Sequence, residues 1–411
     1  MNQLEKDNNL QEGQIEIKAC PNIKNMVDIA IVAKKITIDW GDGTVENSIP
    51  NNKLSIRRGD GIVDEIDGQC FTHEYPNQDL RAIKIDTEEM TMFEWNYWGN
   101  PSHCPSSQEL RFGNCQYLTH IMCHYYKISV LDVSKCNALT YLDCSSNQLT
   151  SLDVSKCTNL TQLLCEGNKL TSLEVSGCPA LIDLACDENQ ITSLDISNCT
   201  NLAQLFCNNN QLTHLDISKC TDLSKLNCCS NKLTSLDVSS CTVLKELECS
   251  GNLLSSLNIS KCIALTELNC SDNQLSATAI NSIFMGLPQV RASITCHNNS
   301  GFETCDKSIL IMKGWKEDIY KSPFLFFKTI HGDGTIKCCD CGHSEDITSE
   351  CYFHGLQCQS CGKFYDLRER YTIKCECGRL LDRDKPLFCP KCKSKNMKFE
   401  CDNKYECDDL P

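Results

Sequence analysis

Cysteine recurs every 21 residues through the middle of the chain, at 123, 144, 165, 186, 207, 228, 249 and 270. A second series at 115, 136, 157, 178, 199, 220, 241 and 262 keeps the same interval, and asparagine follows it at 147, 168, 189, 210, 231, 252 and 273. One unit, residues 139–159, reads LTYLDCSSNQLTSLDVSKCTN. The general pattern is L-x-x-L-x-C-x-x-N-x-L-x-x-L-D-V/I-S-x-C-x-x. A unit this short cannot bury its own apolar face, so the eight units must stack and share one core. Within a unit, Leu142 and Cys144 alternate with Tyr141, Asp143 and Ser145, which predicts a strand with the first set inward and the second outward. Strands of successive units are then parallel neighbours, about 4.8 Å apart. Asn147 and its equivalents fall at the turn, where buried backbone needs a hydrogen-bonding side chain.

This pattern resembles the leucine-rich repeat family, most closely its 21-residue bacterial form, common in Bacteroidota surface proteins. The resemblance covers roughly residues 105–320. It extends to a C-terminal cap in QLSATAINSIFMGLPQV (274–290) and ILIMKGW (309–315). It implies a mainly β fold: a solenoid built on a parallel sheet, whose asparagine ladder bonds buried backbone. At the second cysteine position the family often has asparagine, whereas here every unit has cysteine.

With 34 cysteines in 411 residues, the chain has the composition of a disulfide scaffold but not the small size that makes one necessary. Cysteine also serves as a small buried hydrophobe, so the two ladders read as reduced core thiols. A disulfide between series, such as Cys144 with Cys157, and a metal ladder are the alternatives. A net charge of −15 argues against nucleic-acid binding through bulk electrostatics. There is no run of 18 apolar residues and no apolar leader core in MNQLEKDNNLQEGQIEIKAC. We therefore expect a reducing cytoplasm, or export if a leader was trimmed.

The outward strand positions vary from unit to unit while the inward ones do not. They form an acidic face with isolated apolar points: Tyr141, Asp143, Leu164, Glu166, Asp183, Asp187, Phe206, Glu246, Glu248 and Glu267. A variable concave face of this kind suits a protein or peptide partner of basic character. His120 and His124 share that face and are expected to be solvated, and Cys229 is expected to be an exposed thiol.

Residues 1–12 read as a disordered tail. From 13 to 100 the chain shows short strands, among them QIEIKA, DIAIVA, ITIDW, LSIRR and RAIKID. ITIDWGDGTVE (36–46) ends a strand in a Gly-Asp-Gly turn, where glycine supplies positive φ. With FTHEYPNQDLRAIKI (71–85), it resembles the polycystic-kidney-disease (PKD) type β-sandwich, which implies a cap or spacer. In such a turn Asp39 and Asp42 are expected to accept backbone N–H groups. The aromatic segment at 90–105 is expected to plug the end of the solenoid, which spans residues 101–320 with its caps. Residues 321–335, with the run Phe324–Phe327, read as a segment that docks on the cap or links onward.

From 336 to 411 the cysteines leave the 21-residue interval. Cys338, Cys341, Cys358, Cys361, Cys375, Cys377, Cys389 and Cys392 form four close pairs. A Cys-x2-Cys-Gly knuckle aims two sulfurs at one ion, and two knuckles complete a four-thiolate zinc site. The segment resembles tandem zinc ribbons holding about two structural zinc ions. Sequential pairing is simplest and a cross-brace is the alternative. Cys339, Cys351, Cys401 and Cys407 have no assignment. With 13 basic and 14 acidic residues this part is near neutral.

No phosphate-binding glycine loop, nucleophile elbow or His-Glu-x-x-His motif occurs. The sequence therefore points to a non-enzymatic protein-binding scaffold with structural or recruiting ribbons. A ribbon-based nucleic-acid regulator and a ubiquitin-ligase-like adaptor are the alternatives.

Overall fold

In a computed structural model of the chain, the described residues are 10–19, 26–49, 52–57, 63–76, 80–96 and 108–317, with the backbone of short strands between 327 and 401. Residues 1–317 form one compact unit and 318–411 another.

The first unit opens with β1 (Gln14–Ala19), β2 (Met26–Val32), β3 (Lys35–Asp39), β4 (Val45–Ser48), β5 (Asn52–Arg57), β6 (Val63–Glu74), β7 (Arg81–Glu88), β8 (Met92–Asn96) and β9 (Gln108–Phe112). Period-2 alternation places one face of these strands inside: Ile15 and Ile17 on β1, Ile36 and Ile38 on β3, and Ile83 and Ile85 on β7 are fully buried. The WGDGT turn behaves as anticipated: Asp39 accepts from Gly41 N–H at 3.0 Å and Asp42 from Thr44 N–H at 3.0 Å. Asp42 also holds His73 at 2.7 Å, and the His73 ring stacks on Trp40. Hydrogen bonds from Thr44 and His73, against an opposing effect of burial, hold the Asp42 carboxyl well below the carboxylate range.

Two walls carry the chain from this part into the repeats. β9 pairs antiparallel with β1 and parallel with β11 (Ile128–Asp132), completing a sheet ordered β11-β9-β1-β7-β3-β4. β8 pairs antiparallel with β2 and parallel with β10 (His120–Met122), the first repeat strand. The strands β12 (Tyr141–Asp143), β13 (Gln162–Leu164), β15 (Asp183–Ala185), β17 (Gln204–Phe206), β18 (Lys225–Asn227), β19 (Glu246–Glu248) and β20 (Glu267–Asn269) follow in parallel register. Between them lie the two-residue strands β14 (Leu173–Glu174) and β16 (Leu194–Asp195), which pair with each other on a second side of the coil. After helix α1 (Ala277–Gly286), β21 (Ala292–Thr295), helix α2 (Lys307–Met312) and β22 (Trp315–Glu317) close the sheet, which holds 14 strands among the described residues. Both helices lie in the segments anticipated as the cap. Ser276 caps α1 by accepting from Ala279 N–H at 3.2 Å.

One hydrophobic core runs from Ile15 to Trp315. Each coil adds the same set to it, as with Leu205, Cys207, Leu212, Leu215, Ile217, Cys220 and Leu223. Full burial of a leucine contributes about 1.5–3 kcal/mol, so the stack is held together mainly by this column. The turn before each ladder asparagine takes a left-handed residue: Ser146, Glu188, Asn209, Ser230 and Asp272 at φ 51–53°, and glycine at 167 and 251.

Asparagine closes each turn. Asn210 donates to the carbonyls of Cys186, Cys207 and Asn208, and its Oδ1 accepts from Ile191 N–H. The second cysteine series reaches back in the same direction: Cys178 donates its S–H to Val154 O at 3.4 Å, and Cys262 to Val238 O at 3.6 Å. Every described cysteine is a free thiol, Cys144 and Cys157 included. Burial pushes the ladder thiols up, Cys178 to about 11 and Cys270 to about 12, so they stay protonated and poorly reactive.

In the second unit, β23 (Phe327–Ile330), β24 (Thr335–Cys338) and β25 (Ser344–Asp346) form an antiparallel sheet, and β26 (Tyr371–Cys375) pairs antiparallel with β27 (Met397–Cys401).

Candidate functional site

The parallel register turns the outward side chains of the long sheet into columns. One column runs Met92, His120, Tyr141, Gln162, Asp183, Gln204, Lys225, Glu246, Glu267. The next outward column runs Glu94, Met122, Asp143, Leu164, Ala185, Phe206, Asn227, Glu248, Asn269. Alternation sets a third beyond it, with His124, Ser145, Glu166, Asp187, Asn208 and Cys229. All ten residues expected on the outward face lie in these columns, while Leu142, Leu163, Leu184 and Leu205 between them are fully buried.

At the N-terminal end, the outward apolar side chains bury one another. Met92, Met122 and Tyr141 form a cluster separate from the main core, with Val32 and Leu164 packed against it. Tyr141 points outward yet is only 8% exposed, because the methionines of the two preceding strands cover its ring. Phe206, farther along, remains half-buried.

Carboxylates surround that cluster. His124 Nδ1 lies 3.1 Å from Asp143 Oδ2, and Ser145 Oγ donates to Asp143 Oδ1 at 2.7 Å. Burial opposes the Asp143 charge, but the bonds from His124 and Ser145 outweigh it and hold the carboxyl below its ordinary range. The bond to Asp143 moves the His124 imidazole the other way, upward. Glu166 and Asp187 have no such cation. Burial pushes Glu166 up to about 7 and raises Asp187, and Glu94 is raised by burial as well. Oε2 of Glu166 is closed off from solvent and has no hydrogen-bond partner.

Two expectations about this face are corrected. His120 and His124 are not solvated: His120 stacks on Tyr141 with ring centroids 5.8 Å apart, and His124 pairs with Asp143. The residue 19 positions on from His124 lies diagonally across on the next strand, a relation that reading within one unit misses. Cys229 is not an exposed thiol either, since Ser250 Oγ donates to its sulfur at 3.1 Å and burial pushes it up to about 11.

Toward the C-terminal end the acids are neutralised or spread out. Lys225 bridges Glu246 at 3.0 Å, and Asp183 accepts from Gln162 at 2.7 Å. Glu248 and Glu267 lie on the same two columns. Glu94, Met92 and Val32 of the N-terminal strands also belong to the face, and sequence reasoning missed them because they lie outside the 21-residue interval. The alternation in Met92-Phe-Glu-Trp-Asn96 is the signal that would have found them.

Among the described residues no group of three or more His, Cys, Asp or Glu side chains is arranged to hold a metal ion. Of the expected zinc ligands, Cys338 ends β24 and Cys375 ends β26. Cys341, Cys358, Cys361, Cys377, Cys389 and Cys392 lie outside the described residues. No helix among the described residues is long and apolar enough to cross a membrane.

Coils of 21 residues, three-residue parallel strands and a turn asparagine in every coil define the first unit as a leucine-rich repeat solenoid. No protein-family model matches the chain, and no curated protein does. Among solved structures it is similar to the functional domain of InlJ from Listeria monocytogenes, which includes a cysteine ladder: identity is 31%, over 52% of this chain and 48% of that one, with a TM-score of 0.41. An internalin (inlF) from Listeria monocytogenes str. 4b F2365 aligns over 51% of this chain and 69% of its own at 18% identity, with a TM-score of 0.45. YopM, a leucine-rich effector protein from Yersinia pestis, aligns over 45% and 50% at 22% identity, with a TM-score of 0.37. The chain spans about half the length of the InlJ structure.

Proposed function

We propose that the protein is a non-enzymatic scaffold whose outward sheet face binds a protein partner of basic character. The observation that carries this reading is the contrast between columns. The inward positions repeat leucine and cysteine, whereas the outward ones differ at every coil and are rich in uncompensated carboxylates. A solenoid needs uniform inward residues to stack, and nothing about stacking calls for this outward variety. The N-terminal strands, which share a core with the repeats and carry the Trp40–Asp42–His73 cluster, support a PKD-like sandwich acting as cap. Residues 336–411 are proposed to hold about two structural zinc ions through Cys338, Cys341, Cys358, Cys361, Cys375, Cys377, Cys389 and Cys392. The placement of Cys338 and Cys375 at the ends of antiparallel strands is consistent with knuckles that follow a strand.

The test uses the full chain and a variant carrying Glu166→Lys, Asp187→Lys and Glu248→Lys. Quantitative affinity capture should recover basic proteins with the parent and at least about tenfold less of them with the variant, a loss of about 1.4 kcal/mol. Equal recovery by both proteins would sink the reading.

A further inference from the structure

The long sheet does not stop at the first repeat. β8 continues it in the same parallel register, Met92 beside His120 and Glu94 beside Met122, and β2 continues it again with Val32 beside Met92 and Ala30 beside Glu94. The apolar cluster on the outward face is built across that junction, from Val32 and Met92 on one side and Met122, Tyr141 and Leu164 on the other. The carboxylates beside it cross the junction too. Glu94 belongs to the N-terminal strands, while Asp143, Glu166 and Asp187 belong to the repeats. Their influence on one another's protonation shows their proximity: Asp143 acts on Glu94, and both Asp143 and Asp187 act on Glu166.

The local charge is unbalanced. Four carboxylates face this patch, and the cation among them is His124, already engaged by Asp143. Lys225, farther along the face, is engaged by Glu246. Glu166 has a carboxylate oxygen without a donor, and burial raises both Glu94 and Glu166, as it does for carboxylates that lack a counter-charge. An arginine guanidinium supplies both what is missing, a charge and a fork of N–H donors, and matches carboxylates better than a point charge does. The adjoining methionine and tyrosine surface suits an apolar side chain, and methionine-lined surfaces adapt to different ones.

We propose that the recognition face runs across the junction, and that the patch formed by Met92, Glu94, Met122, Asp143, Leu164 and Glu166 takes an extended peptide segment in which arginine stands next to an apolar side chain. This rests on the protein-binding reading above and makes the N-terminal strands part of the binding surface.

The probes are fluorescein-labelled decapeptides that alternate leucine with arginine, serine with arginine, and leucine with glutamate, titrated with the full-length protein and read by anisotropy. The leucine–arginine peptide should bind most tightly. Glu94→Gln and Met92→Ala should each weaken it by about tenfold or more, and Glu267→Gln by less than about twofold. Unchanged thermal unfolding confirms that each variant is folded, and having two N-terminal variants keeps the test usable if one is not. If Glu94→Gln and Met92→Ala bind like the parent while variants of Glu246 and Glu267 lose affinity, the junction patch is overturned and the protein-binding reading survives. Equal binding of the serine–arginine peptide overturns the apolar half of the proposal. Failure of all three peptides to bind overturns it entirely, while affinity capture still judges the broader reading independently.

Discussion

Glu166 shows what the outward face costs the folded chain. Its carboxyl is pushed from the ordinary 4.5 to about 7, first by burial and then by the neighbouring Asp143 and Asp187 charges. Between those values the folded chain keeps a proton that the unfolded chain has lost. The contribution of Glu166 to stability therefore falls as pH rises from 4.5 to about 7 and stays low above that. Glu166→Gln removes the ionisation, so the variant should be more stable than the parent at about pH 8, with the difference shrinking toward zero near pH 4.5. Urea midpoints across that range are the measurement, and a difference that does not vary with pH would reject the assigned cause. Glu166 was legible in the sequence as an outward acid, because its place within the unit gives its side of the strand. Its burial was not legible, because that depends on Asp143, Asp187 and Ser145 in neighbouring coils.

Within each coil the turn is the element that the sequence announced most clearly. An asparagine repeated at 21-residue intervals in an otherwise variable turn implies a backbone debt common to every turn, and Asn210 settles it with four hydrogen bonds. Asn210→Ala strands the Ile191 N–H and leaves three carbonyls short of a donor, so it should destabilise the protein by about 2–4 kcal/mol in chemical denaturation. The exposed neighbour Gln211, replaced by alanine, should change stability by less than about 0.5 kcal/mol. Equal effects would mean that the asparagine column does not hold the turns. Strands outside the repeats were harder to read. The short strands β1, β3 and β7 showed in their isoleucine alternation, yet nothing in that alternation reveals that β8 pairs with β10. Pairing between unlike segments leaves no period in the sequence, and only the three-dimensional register puts Met92 beside His120.

At the scale of the whole chain, the 34 cysteines divide by environment. Those in the ladders fill the core of the first unit as free thiols, and those of residues 336–411 are the proposed metal ligands. Metal analysis of the purified full chain should find about two zinc ions, and Cys338→Ser should reduce this to about one. No bound zinc, or a content unaffected by that substitution, would remove the zinc proposal. The ladders carry another consequence. Each asparagine donates to a carbonyl of the preceding coil, and its oxygen receives an N–H from that same coil, so every coil presents the next with the same set of partners. Removing or inserting 21 residues leaves every such joint intact, whereas 20 or 22 would misalign them all. The distance along the face between the N-terminal strands and any chosen coil is thus quantised in steps of about 4.8 Å. A lineage that keeps the joints can lengthen or shorten this ruler by whole divisions, and so change the reach of the molecule without redesigning its core.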